Sequence, residues 1–240
     1  MTACGELRRT AVVTCVAATS PRVEQIALRS LAATAAEFPD ARRVAALDVS
    51  TDLIEAQCSA YGWQTLRLCA GKPPRMGKLL RLAFSVCADA EIVWTIEHDV
   101  EITRHAAAPA EALLLEHPDL AGVELRPLNP QGGPGYPLNR KKVLPYAADD
   151  RLRLQRPWAS LNCIAWRASF LRGLDWSRIH VYPQTDQDIS RQVTEAGLEV
   201  AVADQLTCVH RFSQARRDLA PITRAHYARV PWRWKKEFVA

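Results

Sequence analysis

Strand-like and helix-like patterns alternate through the first hundred residues, and that alternation leaves this chain few folds to choose from. Residues 11–18 form a short Val- and Ala-rich run suited to a buried strand. Ser20-Pro21 then offers an N-cap with proline at the first helical position, and Val23, Ile26, Leu28, Leu31 and Ala35 follow near helical spacing. Residues 43–47 read as a second strand closed by Asp48. Ser50-Thr51-Asp52 caps a helix running to Gly62, a C′ glycine. Residues 63–69 alternate as a third strand, 79–88 read as a helix, and 91–96 read as a fourth strand. Strands separated by helices pair in parallel through crossovers, and a parallel sheet needs cover on both faces.

The pattern changes after Glu97. Residues 106–116 are helical and 121–125 form a strand, whereas 127–150 are rich in Pro, Gly and Asn and read as a long loop. Residues 158–166 are apolar and strand-like, 190–196 lie on a helix ended by Gly197, and 199–203 and 207–209 read as two late strands. The expected fold class is α/β, with a mostly parallel central sheet, helices on both faces and a mixed second half. A length of 240 residues suits one domain, and 48% apolar with 24% charged residues is globular composition.

Composition also excludes. Only 10 glycines are present, and neither G-x-G-x-x-G nor G-x-x-x-x-G-K-[ST] occurs, which argues against a dinucleotide-binding Rossmann enzyme and a P-loop NTPase. Seven cysteines, odd in number and never spaced C-x-x-C, read as buried reduced thiols of a cytosolic protein rather than a disulfide framework or zinc site. No apolar run approaches ~18 residues. Arg8-Arg9 before residues 11–18 resembles a signal peptide, but the run is short and holds Thr14, so it reads as a strand. The expected location is cytoplasmic, with peripheral contact at the inner face of the membrane. That contact is suggested by the tail. Residues 211–240 carry eight Arg or Lys against Asp218 and Glu237, a net +6, while the rest of the chain nets −1. Tyr227, Trp232, Trp234 and Phe238 are interleaved with those cations, a pattern that suits an anionic lipid surface better than nucleic acid, or a helix packed on the body with a solvated basic face.

Three acidic features fall at strand or helix ends, where open parallel sheets bind ligands. Asp48 closes the second strand, Glu97-His98-Asp99 closes the fourth, and Asp186-Gln187-Asp188 opens the late helix. Two carboxylates at i and i+2 can share a divalent ion, and such an ion commonly meets a diphosphate. Alone, the same pair is a solvated strand end, and His98 between the acids is expected to point outward. Asp186 and Asp188 serve either as helix N-terminal acids or as a base taking a proton from a hydroxyl. His210, ending an apolar run, is either a packed histidine or a third metal ligand.

The order of these features resembles the GT-A-fold glycosyltransferases, most closely the inverting family 2 enzymes. Asp48, then Glu97-x-Asp99, then Thr185-Asp186-Gln187-Asp188-Ile189 with Arg191 and Gly197, then His210 carry the likeness over roughly residues 10–212. The resemblance implies a transferase domain at 1–212, with a nucleotide-sugar half at about 10–105 and an acceptor half at about 106–212, followed by a basic aromatic tail at 213–240. It implies that Asp48 contacts the donor nucleobase, that Glu97 binds the donor ribose, and that Asp99 and His210 hold Mn2+ or Mg2+. It further implies that Arg75 and Lys78 meet the diphosphate and Asp186 is the base. Asp188 and Trp158 fall on the acceptor side, Trp158 either stacking on a sugar ring or filling the core. The implied donor is a nucleoside-diphosphate sugar, UDP-sugars first, and the acceptor is a glycan, lipid-linked or other hydroxyl. Nucleic acid is not an expected partner. Two departures stand out: Glu97 replaces the first Asp of D-x-D, and Thr185 replaces the usual Glu before the base. The rival readings are a sugar-phosphate nucleotidyltransferase, which lacks its Gly-rich loop here, and a non-catalytic adaptor acting through the tail.

Overall fold

The computed structural model describes residues 10–18, 20–68, 76–135, 142–156, 160–180 and 184–211. Arg75, Trp158, Cys4, Cys69 and the tail beyond Arg211 lie outside the described residues. The first half alternates as its pattern dictates: β1 (Thr10–Ala17), α1 (Pro21–Glu37), β2 (Arg42–Val49), α2 (Asp52–Ala60), β3 (Gln64–Arg67), α3 (Met76–Ser85) and β4 (Ile92–Ile96). The second half adds β5 (Val100–Ile102), α4 (Ala107–Glu116), β6 (Leu120–Leu128), β7 (Lys142–Pro145), β8 (Leu152–Arg156), β9 (Cys163–Arg167), α5 (Ala168–Arg172), α6 (Thr185–Glu195) and β10 (Glu199–His210).

Local chemistry starts the helices where the sequence says it should. The Ser20 hydroxyl accepts from Val23 N at 3.3 Å with Pro21 in the first turn, and Thr51 accepts from Ile54 N at 3.3 Å. Each cap satisfies one donor that the helix itself leaves orphaned. Gly62, at φ +67, follows α2 in the left-handed region that glycine enters without steric cost. α4 has no side-chain cap of its own. Instead the Glu37 carboxylate, at the end of α1, accepts from His105 N at 2.7 Å and Ala107 N at 2.8 Å.

The strands form one sheet in the order β3-β2-β1-β4-β9-β6-β10-β8-β7, with β5 added beside β10. β3, β2, β1 and β4 are parallel, β9 runs against β4 and β6, and β10 returns parallel to β6 before the antiparallel β8 and β7. Period-2 alternation divides the core into two layers. Val12, Ala45, Leu47, Trp94, Ile96 and Ala165 pack with Leu31 of α1, Ile54 of α2 and Leu114 of α4. Val13, Val44, Ala46, Val93, Ile164 and Trp166 face the other way, onto Leu79 of α3, Leu171 of α5 and Ile189 and Val193 of α6. Helices therefore cover both faces, as a sheet with no polar face requires. All five residues of β4 are buried. Both indoles at the sheet centre keep a partner: Trp94 Nε1 donates to Glu111 Oε1 at 2.9 Å, and Trp166 Nε1 to Thr95 Oγ1 at 3.0 Å.

Three expectations from sequence are corrected. Residues 127–150 are not all loop: β6 extends to Leu128 and β7 occupies Lys142–Pro145. The two late strands are one, β10, whose register on β6 shifts between Ala203 and Thr207, so a bulge mimics a break. His98 does not point outward. It is buried, and its Nδ1 lies 3.1 Å from the Cys15 carbonyl. The five described cysteines are free and buried, and burial pushes the Cys58 and Cys87 thiols up to about 11. Among the described residues, no helix is long and apolar enough to cross a membrane.

Candidate metal and donor site

The site begins where β4 runs out. Glu97 N donates to Asn162 O at 2.8 Å, and Val100 N donates to Glu97 O at 3.0 Å, closing a tight turn through His98 and Asp99. From below, the buried Ser30 hydroxyl of α1 reaches Val100 O at 2.5 Å and Glu97 O at 3.2 Å. The turn delivers the chain into β5, which pairs antiparallel with the end of β10 so that Val100 faces His210. Arg211 N donates to Asp99 O at 2.8 Å and extends that pairing by one bond.

This register brings together residues more than a hundred positions apart. Asp99 is 5% and His210 2% exposed, and His210 Nε2 lies 3.4 Å from Asp99 Oδ2. Glu97, half-buried at the rim, completes a set in which each residue offers one ligand atom and all three atoms lie within 4.8 Å of one another. Asp99 Oδ1 is buried and accepts no hydrogen bond from the protein. A buried carboxylate oxygen without a donor is costly unless something else meets it. Two carboxylates and an imidazole are a donor set that suits Mn2+, and Mg2+ through its oxygens.

The electrostatics record the crowding. Desolvation, then the Asp99 charge, pushes the Glu97 carboxyl up to about 8; His210 pulls it back, while Asp186 and Glu124 push it further. Burial works against ionising Asp99, but the His210 charge, a hydrogen bond from that ring and the His98 ring outweigh it, so its carboxyl sits below the usual range. Cys15, at the end of β1, is raised by burial first and then by the charges of Glu97 and Asp48. Asp48, half-buried at the end of β2, thus lies on the same rim, one strand over. Asp186, in the first turn of α6, is close enough for its charge to act on Glu97.

Two other expected residues sit differently. Lys78 is half-buried in the first turn of α3, the helix packed on β1 and β2. Asp188 is turned inward: its Oδ2 accepts from His180 N at 2.8 Å and lies 2.7 Å from His180 Nδ1, which ties His180 to α6. Arg75 and Trp158 fall outside the described residues.

Sequence reading missed several contributors. Glu124 is fully buried on β6 and accepts from Ser160 N at 3.4 Å and from the Ser160 hydroxyl. Its signal was available, a lone carboxylate inside the apolar run Ala121-Gly122-Val123-Glu124-Leu125. Ser30, a polar residue on the buried face of α1, gave a fainter one. The carbonyl of Asn162 and the Arg211–Glu101 pair gave none, because backbone acceptors and long-range partners leave no local pattern.

Helices on both faces of a largely co-directional sheet, with acids gathered beyond its strand ends, are the GT-A glycosyltransferase fold. A crystal structure of GalNAc-T7 with UDP, GalNAc and Mn2+ superposes with a TM-score of 0.62 at 12% identity, over 85% of this chain and 43% of that one. Residues 1–349 of S. aureus TarS in complex with UDP-GlcNAc give 0.61 at 18% identity, over 85% of this chain and 58% of that one. The same TarS fragment in another structure gives 0.59 at 16% identity, over 95% and 68%. The chain therefore spans about half the length of the first two of these structures. No protein-family model matches the chain, and no curated protein does.

Proposed function

We propose that the chain is a metal-dependent glycosyltransferase that moves a sugar from a nucleoside-diphosphate donor to an acceptor hydroxyl with inversion, in the manner of the family 2 enzymes. The observation that carries this reading is the meeting of Glu97, Asp99 and His210 at the rim of the parallel strands, with the charge of Asp186 acting on Glu97. The structures that share the fold support the choice of reagents, since one holds UDP with Mn2+ and another UDP-GlcNAc.

Asp99 and His210 would hold a divalent cation, Mn2+ or Mg2+, with Glu97 at the ribose edge. When bound, that cation offsets charge on the departing nucleoside diphosphate. Asp48, at the end of β2, two strands over from β4, contacts the nucleobase. Lys78 is assigned to the diphosphate, as Arg75 is. Asp186 removes the proton of the acceptor hydroxyl as its oxygen attacks the anomeric carbon from the face opposite the leaving group. The acceptor is a glycan or lipid-linked hydroxyl, and the basic aromatic tail brings the enzyme to an anionic, cytoplasmic-facing membrane surface. Asp188 is assigned to the acceptor side, with its Oδ2 engaged by His180.

The test is a panel of UDP- and GDP-sugars with Mn2+, read as released nucleoside diphosphate and as thermal shift. Asp186→Asn should cut transfer by ~10² to 10⁴ while leaving Mn2+-dependent nucleotide binding intact. Transfer at the parent rate by that variant would refute the base assignment. A thermal response to anionic vesicles alone, with none to nucleotide and Mn2+, would favour an adaptor.

A further inference from the structure

Resting on the metal site proposed above, we infer that Arg211 and Glu101 are positioning residues that set the spacing of the two ligands Asp99 and His210. Arg211 adjoins His210 and Glu101 lies two positions after Asp99, and together they form a fork. Arg211 Nε donates to Glu101 Oε1 at 2.6 Å, and Nη2 donates to Oε2 at 3.1 Å. Their side chains are 18% and 22% exposed, so water screens the pair only in part. Paired charges in bidentate geometry are stronger and more directional than single contacts.

The fork has a specific task because β5 is weak. It is three residues long and, among the described residues, pairs only with β10. A slip of one residue in that short ladder would turn the side chain opposite Val100 to the other face and carry His210 away from Asp99. Arg211 resists the slip at two points at once, its N–H bound to the Asp99 carbonyl and its guanidinium bound to Glu101. Glu101 does a second thing. It holds the guanidinium away from the Asp99 carboxylate, where a loose arginine would compete with a metal cation for the same oxygens. Losing Glu101 therefore harms cation binding at least as much as losing Arg211.

The experiment uses the full chain and Mn2+ alone, with free Mn2+ followed by electron paramagnetic resonance. Arg211→Gln and Glu101→Gln should each weaken Mn2+ binding about 10- to 100-fold, the range for residues that orient metal ligands. The double variant should lose no more than the worse single one, because both remove the same interaction. Arg211→Lys, which keeps a charge at the position and is the gentler change should Arg211→Gln fail to fold, should recover part of the affinity. A second readout needs no metal. Amide hydrogen exchange at Arg211 should accelerate at least ~10-fold in Arg211→Gln, since opening of this pairing frees its amide from the Asp99 carbonyl. Mn2+ affinity within twofold of the parent overturns the proposal. So does weakened affinity with unchanged exchange, which would assign the effect to charge alone. If the parent protein itself binds no Mn2+, the metal reading fails, and the exchange measurement still decides whether the fork sets the register.

Discussion

Among the described residues, two places gather two carboxylates and a histidine within 4.8 Å: Glu97, Asp99 and His210 at the rim of the sheet, and Glu116, His117 and Asp149 near the start of β8. The residue types are the same, and the difference lies in who supplies the opposing charge. At the second cluster the protein does. Arg151 gives Asp149 its backbone N–H at 2.8 Å and its guanidinium at 2.6 to 2.9 Å, reaches Glu116 at 2.5 Å, and leaves His117 Nε2 to meet Asp149 at 2.9 Å. The Arg151 hydrogen bonds come first among the causes that hold the Asp149 carboxyl well below the usual carboxylate range. At the rim Arg211, next to His210, is committed to Glu101, and Asp99 Oδ1 accepts no hydrogen bond from the described residues. An acidic cluster that carries its own cation is a structural knot. One that turns its arginine aside is arranged for a cation from solution.

The largest effect should separate the two clusters outright. Asp99→Asn should lower Mn2+ affinity by more than ~100-fold, beyond the usual loss for an orienting residue. Asp149→Asn should leave that affinity within twofold and lower the melting temperature instead. Calorimetric Mn2+ titration beside thermal melts reads both, and equal loss of Mn2+ in the two variants would erase the distinction.

Next in size is an opposite response to pH. Glu97 folds with its carboxyl raised from 4.5 to about 8, so across that window the native state keeps a proton that the unfolded state has released. Stability of the metal-free protein should therefore fall as pH rises through the window, by at most about 1.4 kcal/mol per pH unit from this group. Glu97→Gln should flatten that slope, and Mn2+ held by Asp99 and His210 should oppose it, because a cation close by favours the ionised form of the Glu97 carboxyl. Asp149 works the other way. Its contribution is present above the ordinary carboxylate range and disappears on acidification, so Asp149→Asn should blunt acid denaturation and leave the alkaline limb alone. Melts from about pH 3 to about pH 9 test both signs.

The smallest effect concerns the support beneath the rim. Ser30→Ala removes the hydroxyl that holds the Glu97 and Val100 carbonyls, at a cost of about 1 kcal/mol in stability and a few-fold in Mn2+ affinity. Denaturant melts with Mn2+ titration measure it. A variant that binds Mn2+ as the parent does would show that β9 and β10 alone fix the turn.

The same contrast explains what the sequence could announce. β1 to β4 and their helices were legible because each is decided locally, by buried alternation and by caps such as Ser20-Pro21 and Thr51. Asp48, Glu97, Asp99, Asp186 and His210 were visible as acids and an imidazole at element ends. β5 was not, since three residues carry no period and their pairing depends on a strand over a hundred positions later. β8 was missed although Leu152 and Leu154 alternate with Arg153 and Gln155, because a Pro- and Gly-rich stretch precedes it. His98 was misread as outward-facing because nothing nearby reveals that the Cys15 carbonyl, 83 positions earlier, waits for its ring.

The union of β5 with β10 has a consequence for the order of assembly. Glu101 and Arg211 are 110 positions apart, so bringing them together closes a very long loop of polypeptide. During synthesis, the half-site at the end of β4 must wait without its histidine until nearly all of the sheet has left the ribosome. A cation site built from Asp99 and His210 would therefore be completed only late in folding, once the last of these strands has joined the sheet.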